Sequence, residues 1–298
     1  MSQPKTSVLS KWGVFGRVML FLLACPVILV FTNPIASKLA GPWSEAAIGL
    51  ATTIATLLLT LLFVRWEGLR LSDVGAEPTL GSLGRLLLGF MIGLAMVAVQ
   101  TGLVCIGGHV RWVRTPGEIG LPVAISFFSY LLLASREELA FRGYPLRRLA
   151  STVGVWIAQF TVIVAFVLEH RLGGFSWTTA LLGVSAGALL FGVAAIATRG
   201  LAVPIGLHAA FNFGQWVIGE KEKAGLWRPV IDESFRKRVD AIGMASYLFV
   251  FGFVTLAFWW WQHKNENLYA KDEQRAPACR ESANSVVVDD QPEKSGFR

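Results

Sequence analysis

The sequence predicts an all-α, polytopic membrane protein of about eight transmembrane helices. Three observations carry that reading. Hydrophobic residues make up 54% of the 298, and the mean hydropathy is +0.54. Only 16% of residues are charged, against about 25% in soluble domains. Uncharged runs recur at close to the ~20 residues that a bilayer core requires. The net charge of +7 does not indicate nucleic acid, because the basic residues lie mostly in short connections between apolar runs and in the C-terminal segment. That is how topology signals are placed. The expected surroundings are a lipid bilayer, with no nucleic-acid partner.

The elements follow in order. The first span, 13–32, is flanked by Lys5, Lys11 and Arg17. Within it, Leu22-Leu23-Ala24-Cys25 looks like a lipoprotein cleavage box, but the apolar run continues from Pro26 to Phe31, which favours a retained span. The second span, 46–64, and the third, 84–106, are separated by a connection carrying Arg65 and Arg70, with Arg85 at its end. The third holds Gly89 and Gly93, a small-residue pair at helical spacing of the kind that lets helices pack closely; Gly183 and Gly187 form a similar pair. The fourth span, 121–140, and the fifth, 153–171, are interrupted by charges and separated by a turn at Ser151-Thr152-Val153-Gly154. The sixth, 176–197, and the seventh, 201–219, are apolar. The eighth, 243–261, closes on Trp259-Trp260-Trp261, an interfacial anchor.

These spans divide the chain into N-terminal helices (1–119), a chemistry-bearing core (120–217), a connection with the last helix (218–261) and a polar tail (262–298) expected to be disordered. Basic residues suggest both termini inside, and a bacterial inner membrane is the expected setting. Lys221, Lys223, Arg228, Arg236, Lys237 and Arg238, in the last connection, run against that orientation. Cys25 and Cys105 serve as small apolar residues, and the three cysteines match no metal-ligand spacing.

The chemistry lies in the core. Glu137 and Glu138 follow an apolar run, where charged side chains are costly and point to function. Glu138 and Arg142 are four apart, share a helix face and can pair. Glu137 is rotated about 100° away, so one carboxylate can be neutralised while the other faces a cavity. Counted from the turn at 151–154, Glu137 and His170 lie on arms of near-equal length. They should therefore sit at similar depth, within reach of a hydrogen bond, direct or through water. His208 and Asn212 share one face of an apolar span, and both can donate to one oxygen. Each feature alone also fits a blander role: a solvated helix end for the glutamates, an interfacial loop for His170, an interhelical packing bond for His208 and Asn212.

Taken in order, Glu137-Glu138-x-x-x-Arg142, Phe166-x-x-x-His170 and His208-x-x-x-Asn212 resemble the three motifs of the CAAX protease and bacteriocin-processing family, which includes the type II CAAX prenyl endopeptidases. Arg199-Gly200-Leu201 also fits the family's lead-in to its last motif. The charged Glu169-His170-Arg171 departs from it, since relatives place apolar or small neighbours there. The resemblance implies an intramembrane endopeptidase with a catalytic cavity enclosed by the helices. Glu137 would activate a water, His170 would hold and polarise it, and His208 and Asn212 would stabilise the oxyanion. Glu138, Arg142 and Phe166 would brace the site. The implied substrate is a membrane-associated or lipidated peptide or protein.

No cofactor is expected. Two histidines and a glutamate could ligate zinc, but His-Glu-x-x-His is absent and Asn212 suits hydrogen-bond donation better. Two other classes remain open. One is a non-catalytic scaffold or bacteriocin-immunity protein of the same fold. The other is a proton-coupled transporter, which would call for repeats and broken helices.

Overall fold

The computed structural model describes residues 10–287 apart from 37, 39–41, 117–118 and 222–224. Its helices are α1 (Lys11–Ala36), α2 (Pro42–Glu67), α3 (Ser82–Gly108), α4 (Leu121–Glu138), α5 (Tyr144–Val153), α6 (Val155–Leu172), α7 (Ser185–Ala197), α8 (Ala202–Val217) and α9 (Arg236–Val287). The fold is the all-α membrane bundle that hydropathy foretold. Six of the described helical segments are long and apolar enough to cross a bilayer. The expected fourth and seventh spans are α4, whose last turn carries Arg136, Glu137 and Glu138, and α8, which has 16 residues. They carry Glu137, Glu138, His208 and Asn212. Neighbouring helices cover them, so they need less apolar surface of their own.

Three features lay outside the expected pattern. A short antiparallel ribbon joins β1 (Val110–Arg114) to β2 (Trp227–Ile231), with Val110 opposite Ile231 and Arg114 opposite Trp227. It ties the connection before α4 to the one after α8. Next, α4 runs into a π-helical turn over Leu139–Gly143 before α5. Pro145 opens α5 and has no N–H to donate, so the regular bonding ladder is interrupted there. Such wide turns recur at functional sites. Last, α9 continues past Trp261 into the polar segment expected to be disordered, as far as Val287; residues 288–298 lie outside the described residues. The turn expected at 151–154 narrows to Gly154, at φ +90° between α5 and α6, because residues 151–153 are the last turn of α5, a helix the span pattern did not separate from α4.

Glycines set the position of α8. A Cβ on Gly89 would run into the Val203 carbonyl, one on Gly93 into the Leu207 carbonyl, and one on Gly206 into the Leu86 carbonyl. The backbones of α3 and α8 therefore touch, as close crossings of small residues allow. Gly183 and Gly187 make only ordinary contacts. On its other side α8 meets α4, and α4 also packs on α2, where Thr53 Oγ1 donates to the Leu132 carbonyl at 2.7 Å. Cys25 is buried in the middle of α1. At one end of the bundle, Glu67 of α2 accepts from Tyr144 at 2.9 Å and pairs with Arg148 and Arg17, joining α1, α2 and α5.

Candidate active site

The two carboxylates at the end of α4 have different surroundings. Glu138 points inward and is fully buried. Its Oε1 lies 2.9 Å from His208 Nδ1 and 3.5 Å from Arg142 Nη1. The pairing expected between Glu138 and Arg142 is present. Arg142, also fully buried, donates from Nη2 to the Ala188 carbonyl at 3.3 Å, and its guanidinium lies 4.4 Å from the centre of the Phe166 ring. An arginine stacked on aromatic rings is held as a cation without a second carboxylate. Phe166 therefore braces the arginine that braces Glu138.

Glu137, one residue back, retains 19% of its side-chain exposure. Its Oε2 has no hydrogen-bond partner among the described residues, and the nearest basic atom is His208 Nε2 at 3.8 Å. Both ring nitrogens of His208 thus face a carboxylate: Nδ1 bonds to Glu138, and Nε2 stands off from Glu137 at a distance that a water could bridge. The ring also stacks on Phe191, with centroids 4.2 Å apart.

His170 lies within electrostatic range of Glu137 but makes no direct hydrogen bond to it. Its Nδ1 lies 2.9 Å from the Phe166 carbonyl one turn back. A carbonyl can only accept, so Nδ1 carries the proton and, in the neutral ring, Nε2 is an acceptor. The direct form of the expected Glu137–His170 bond is thus not made, because the imidazole is committed to its own helix.

The Glu169-His170-Arg171 departure has a structural explanation. Glu169 forms a two-pronged pair with Arg136 of α4, one bond between Nη1 and Oε1 and the other from Nη2 to Oε2 at 2.9 Å. Both side chains are almost wholly buried. Arg171 turns the other way, to the Phe175 carbonyl and the Trp177 ring. The Arg136–Glu169 pair flanks Glu137 on one helix and His170 on the other, and so fixes their relation. Sequence reading missed it. The only signal was that a buried Glu169 would need a cation, and Arg136 was the unassigned one.

Asn212 holds a second unforeseen partner. Its Oδ1 accepts from Lys221 Nζ at 3.0 Å. In sequence Lys221 is one of the six basic residues of the last connection that run against the expected orientation.

The described side chains do not gather three His, Cys, Asp or Glu donors into a group able to hold a metal ion. A cavity of about 620 Å3 lies between α2, α3 and the start of α8, with walls that include Leu57, Leu61, Leu83, Leu86 and Ile205 and with Arg85 and Arg199 also lining it. The four expected catalytic side chains do not line it. Leu139, next to Glu138, does.

Residues 119–214 match the family model described as Rce1-like, type II CAAX prenyl endopeptidase. The resemblance read from the ordered motifs holds over that segment. It contains Glu137, Glu138, Arg142, Phe166, His170, His208 and Asn212, and Lys221 lies beyond it. No curated protein matches the chain. The Rce1-like family is one of membrane proteases, and the six apolar helical segments agree with an integral, multi-pass membrane protein.

Proposed function

We propose that the protein is an intramembrane endopeptidase that hydrolyses a peptide bond near the C-terminus of a membrane-associated or lipidated substrate by means of a glutamate-activated water. The observation that carries this reading is the asymmetry of the two carboxylates. Glu138 is paired with Arg142 and hydrogen-bonded to His208, while Glu137 keeps an oxygen without a hydrogen-bond partner among the described residues. A carboxylate in that position is available to take a proton from water as a general base.

The other roles follow from the same geometry. The Nε2 of neutral His170 is an acceptor near Glu137 and can hold the second hydrogen of that water. The Asn212 amide can donate to the oxyanion of the tetrahedral intermediate, and His208, one turn away on α8 with Nδ1 donating to Glu138, can add a second bond from Nε2 when both ring nitrogens carry a proton. Donors fixed in a water-poor site contribute on the order of 3 kcal/mol each. The water's proton passes to Glu137 and then to the leaving amine. No metal takes part in this route.

The nearby cavity supports a lipidated substrate, because its leucine and isoleucine walls suit an apolar chain and it adjoins the site through Leu139. A bacterial inner membrane remains the proposed location. The test is hydrolysis of a peptide panel by the purified protein in lipid, each sequence supplied with and without a prenyl group on its cysteine. The proposal expects cleavage that is lost in Glu137→Gln, with the prenylated forms preferred. Cleavage that persists in Glu137→Gln refutes the mechanism. A folded wild type that cleaves no peptide favours the non-catalytic scaffold.

A further inference from the structure

We infer that Lys221 is a positioning residue of this site, fixing the orientation of the Asn212 amide so that its NH2 group is presented to the oxygen that becomes anionic. The inference rests on the peptidase reading above and assigns a part of the site that lies outside the matched family segment.

The backbone after α8 is built to return this lysine. Gly219 has φ +76° and closes the helix: its N–H bonds to the Trp216 carbonyl at 3.0 Å, and the Glu220 N–H bonds to the Gln215 carbonyl at 2.9 Å. This paired pattern around a left-handed glycine reverses the chain at a helix end. A Cβ at Gly219 would press on the Trp227 carbonyl at the start of β2, and one at Gly225 on the Trp216 carbonyl. The reversal is thus packed against the ribbon, and Lys221 leaves it pointing back along α8 to Asn212.

The bond decides which way Asn212 faces. An ammonium only donates, so the atom it meets is the carbonyl oxygen of the amide. The NH2 of Asn212 then faces away from Lys221, free to donate to a substrate oxygen. A cation donating to the amide oxygen also draws electron density from the NH2 group and makes it a stronger donor, as charge-assisted chains do. Lys221 also lies within electrostatic range of Glu137. Burial pushes its ammonium below the ordinary lysine value, and the negative charge of Glu137 opposes part of that. The lysine is thus a half-buried cation with Glu137 as a nearby counter-charge.

The experiment compares wild type with Lys221→Met, Lys221→Arg, Asn212→Ala and the Lys221→Met/Asn212→Ala double variant, with Glu137→Gln as the inactive reference. Removing one oxyanion donor costs ~10²–10³ in kcat, and misorienting it is expected to cost roughly tenfold or more. Lys221→Met should lower kcat with KM within about twofold, and should add almost nothing in the Asn212→Ala background. Wild-type activity should fall with rising pH before the ordinary lysine value of about 10.4. Lys221→Arg should restore much of kcat and move that limb upward. As a readout free of activity, the Lys221 resonance in protein labelled with 13C-lysine should titrate at lower pH when Glu137→Gln removes the carboxylate.

A Lys221→Met enzyme with wild-type kcat and pH profile, beside an inert Glu137→Gln, overturns the inference and leaves the peptidase reading standing. Additive losses in the double variant also overturn it. If wild type cleaves nothing, the peptidase reading falls and this inference falls with it.

Discussion

Replacing Arg136 by Met should destabilise the protein in a way that depends on pH, and the size of the effect can be worked out. Arg136 and Glu169 are almost wholly buried and joined by two hydrogen bonds, with a further bond from Arg136 Nη2 to the Cys25 carbonyl at 3.4 Å. Removing one member of a buried pair leaves the other uncompensated and costs about 3–5 kcal/mol. The stranded Glu169 has an escape, which is to take up a proton. From the reference glutamate value that costs about 3.7 kcal/mol at pH 7 and about 1.4 kcal/mol less for each pH unit below. The cost of Arg136→Met should therefore be near 4 kcal/mol at pH 7 and fall to roughly 1 kcal/mol by pH 5. Glu169→Gln strands an arginine, which cannot lose its charge in this range, so its cost should stay flat over the same interval. The double replacement Arg136→Met/Glu169→Leu should restore most of the stability, because apolar pairs often substitute for buried ion pairs without loss. It should not restore activity, since nothing then fixes Glu137 against His170. Reversible unfolding in mixed micelles at pH 5, 6 and 7 provides the stabilities, and the peptide assay provides the rates. A cost for Arg136→Met that does not change with pH, or a double variant as unstable as the sum of the singles, would refute the reasoning.

Other outcomes follow from the same contacts. Gly206→Val should separate α8 from the Leu86 carbonyl of α3, lowering thermal stability and peptide cleavage together, whereas Gly183→Ala, whose added carbon would meet only the Thr179 methyl at 3.9 Å beyond its own turn of helix, should leave both nearly unchanged. Leu86→Trp should fill part of the 620 Å3 cavity, and its effect should be a raised KM for prenylated peptides with little change for unmodified ones. Equal loss on both peptides would remove the cavity from substrate recognition. Arg142→Met should cost about 3–5 kcal/mol, because Glu138 is wholly enclosed, and a loss below 1 kcal/mol measured by unfolding would contradict the bracing role.

The bundle was legible because bilayer-length apolar runs leave few alternatives. The site was legible in part, because Glu138–Arg142 and His208–Asn212 are local relations: residues four apart on a helix share a face wherever that helix is packed. Relations between helices were harder to read. Equal arms from the turn led to the expectation that Glu137 and His170 lie at similar depth, and the two are within electrostatic range of each other although α4 gives way to α5 between Glu137 and the turn. Equal arms could not show that the His170 ring bonds to Phe166 of its own helix, because this depends on a rotamer. Glu169 read as an anomaly until Arg136 was found opposite it, 33 residues away in sequence. Lys221 was hidden by its company, since one lysine among six basic residues in a connection reads as a topology signal. Only the reversal at Gly219 turns it inward. The ribbon was missed because two five-residue strands, separated by more than 100 residues, carry almost no pattern of their own.

The central claim is that a carboxylate, acting without a metal, activates the attacking water. Its most direct test is the single-turnover rate of peptide cleavage in lipid for wild type, Glu137→Gln and Glu137→Ala, each with and without a strong chelator after confirmed folding. Both variants should lose at least about a hundredfold, the usual scale for a general base, and chelation should leave the wild-type rate unchanged. A wild-type rate abolished by chelator and restored by zinc, or a Glu137→Gln rate within tenfold of wild type, would contradict it.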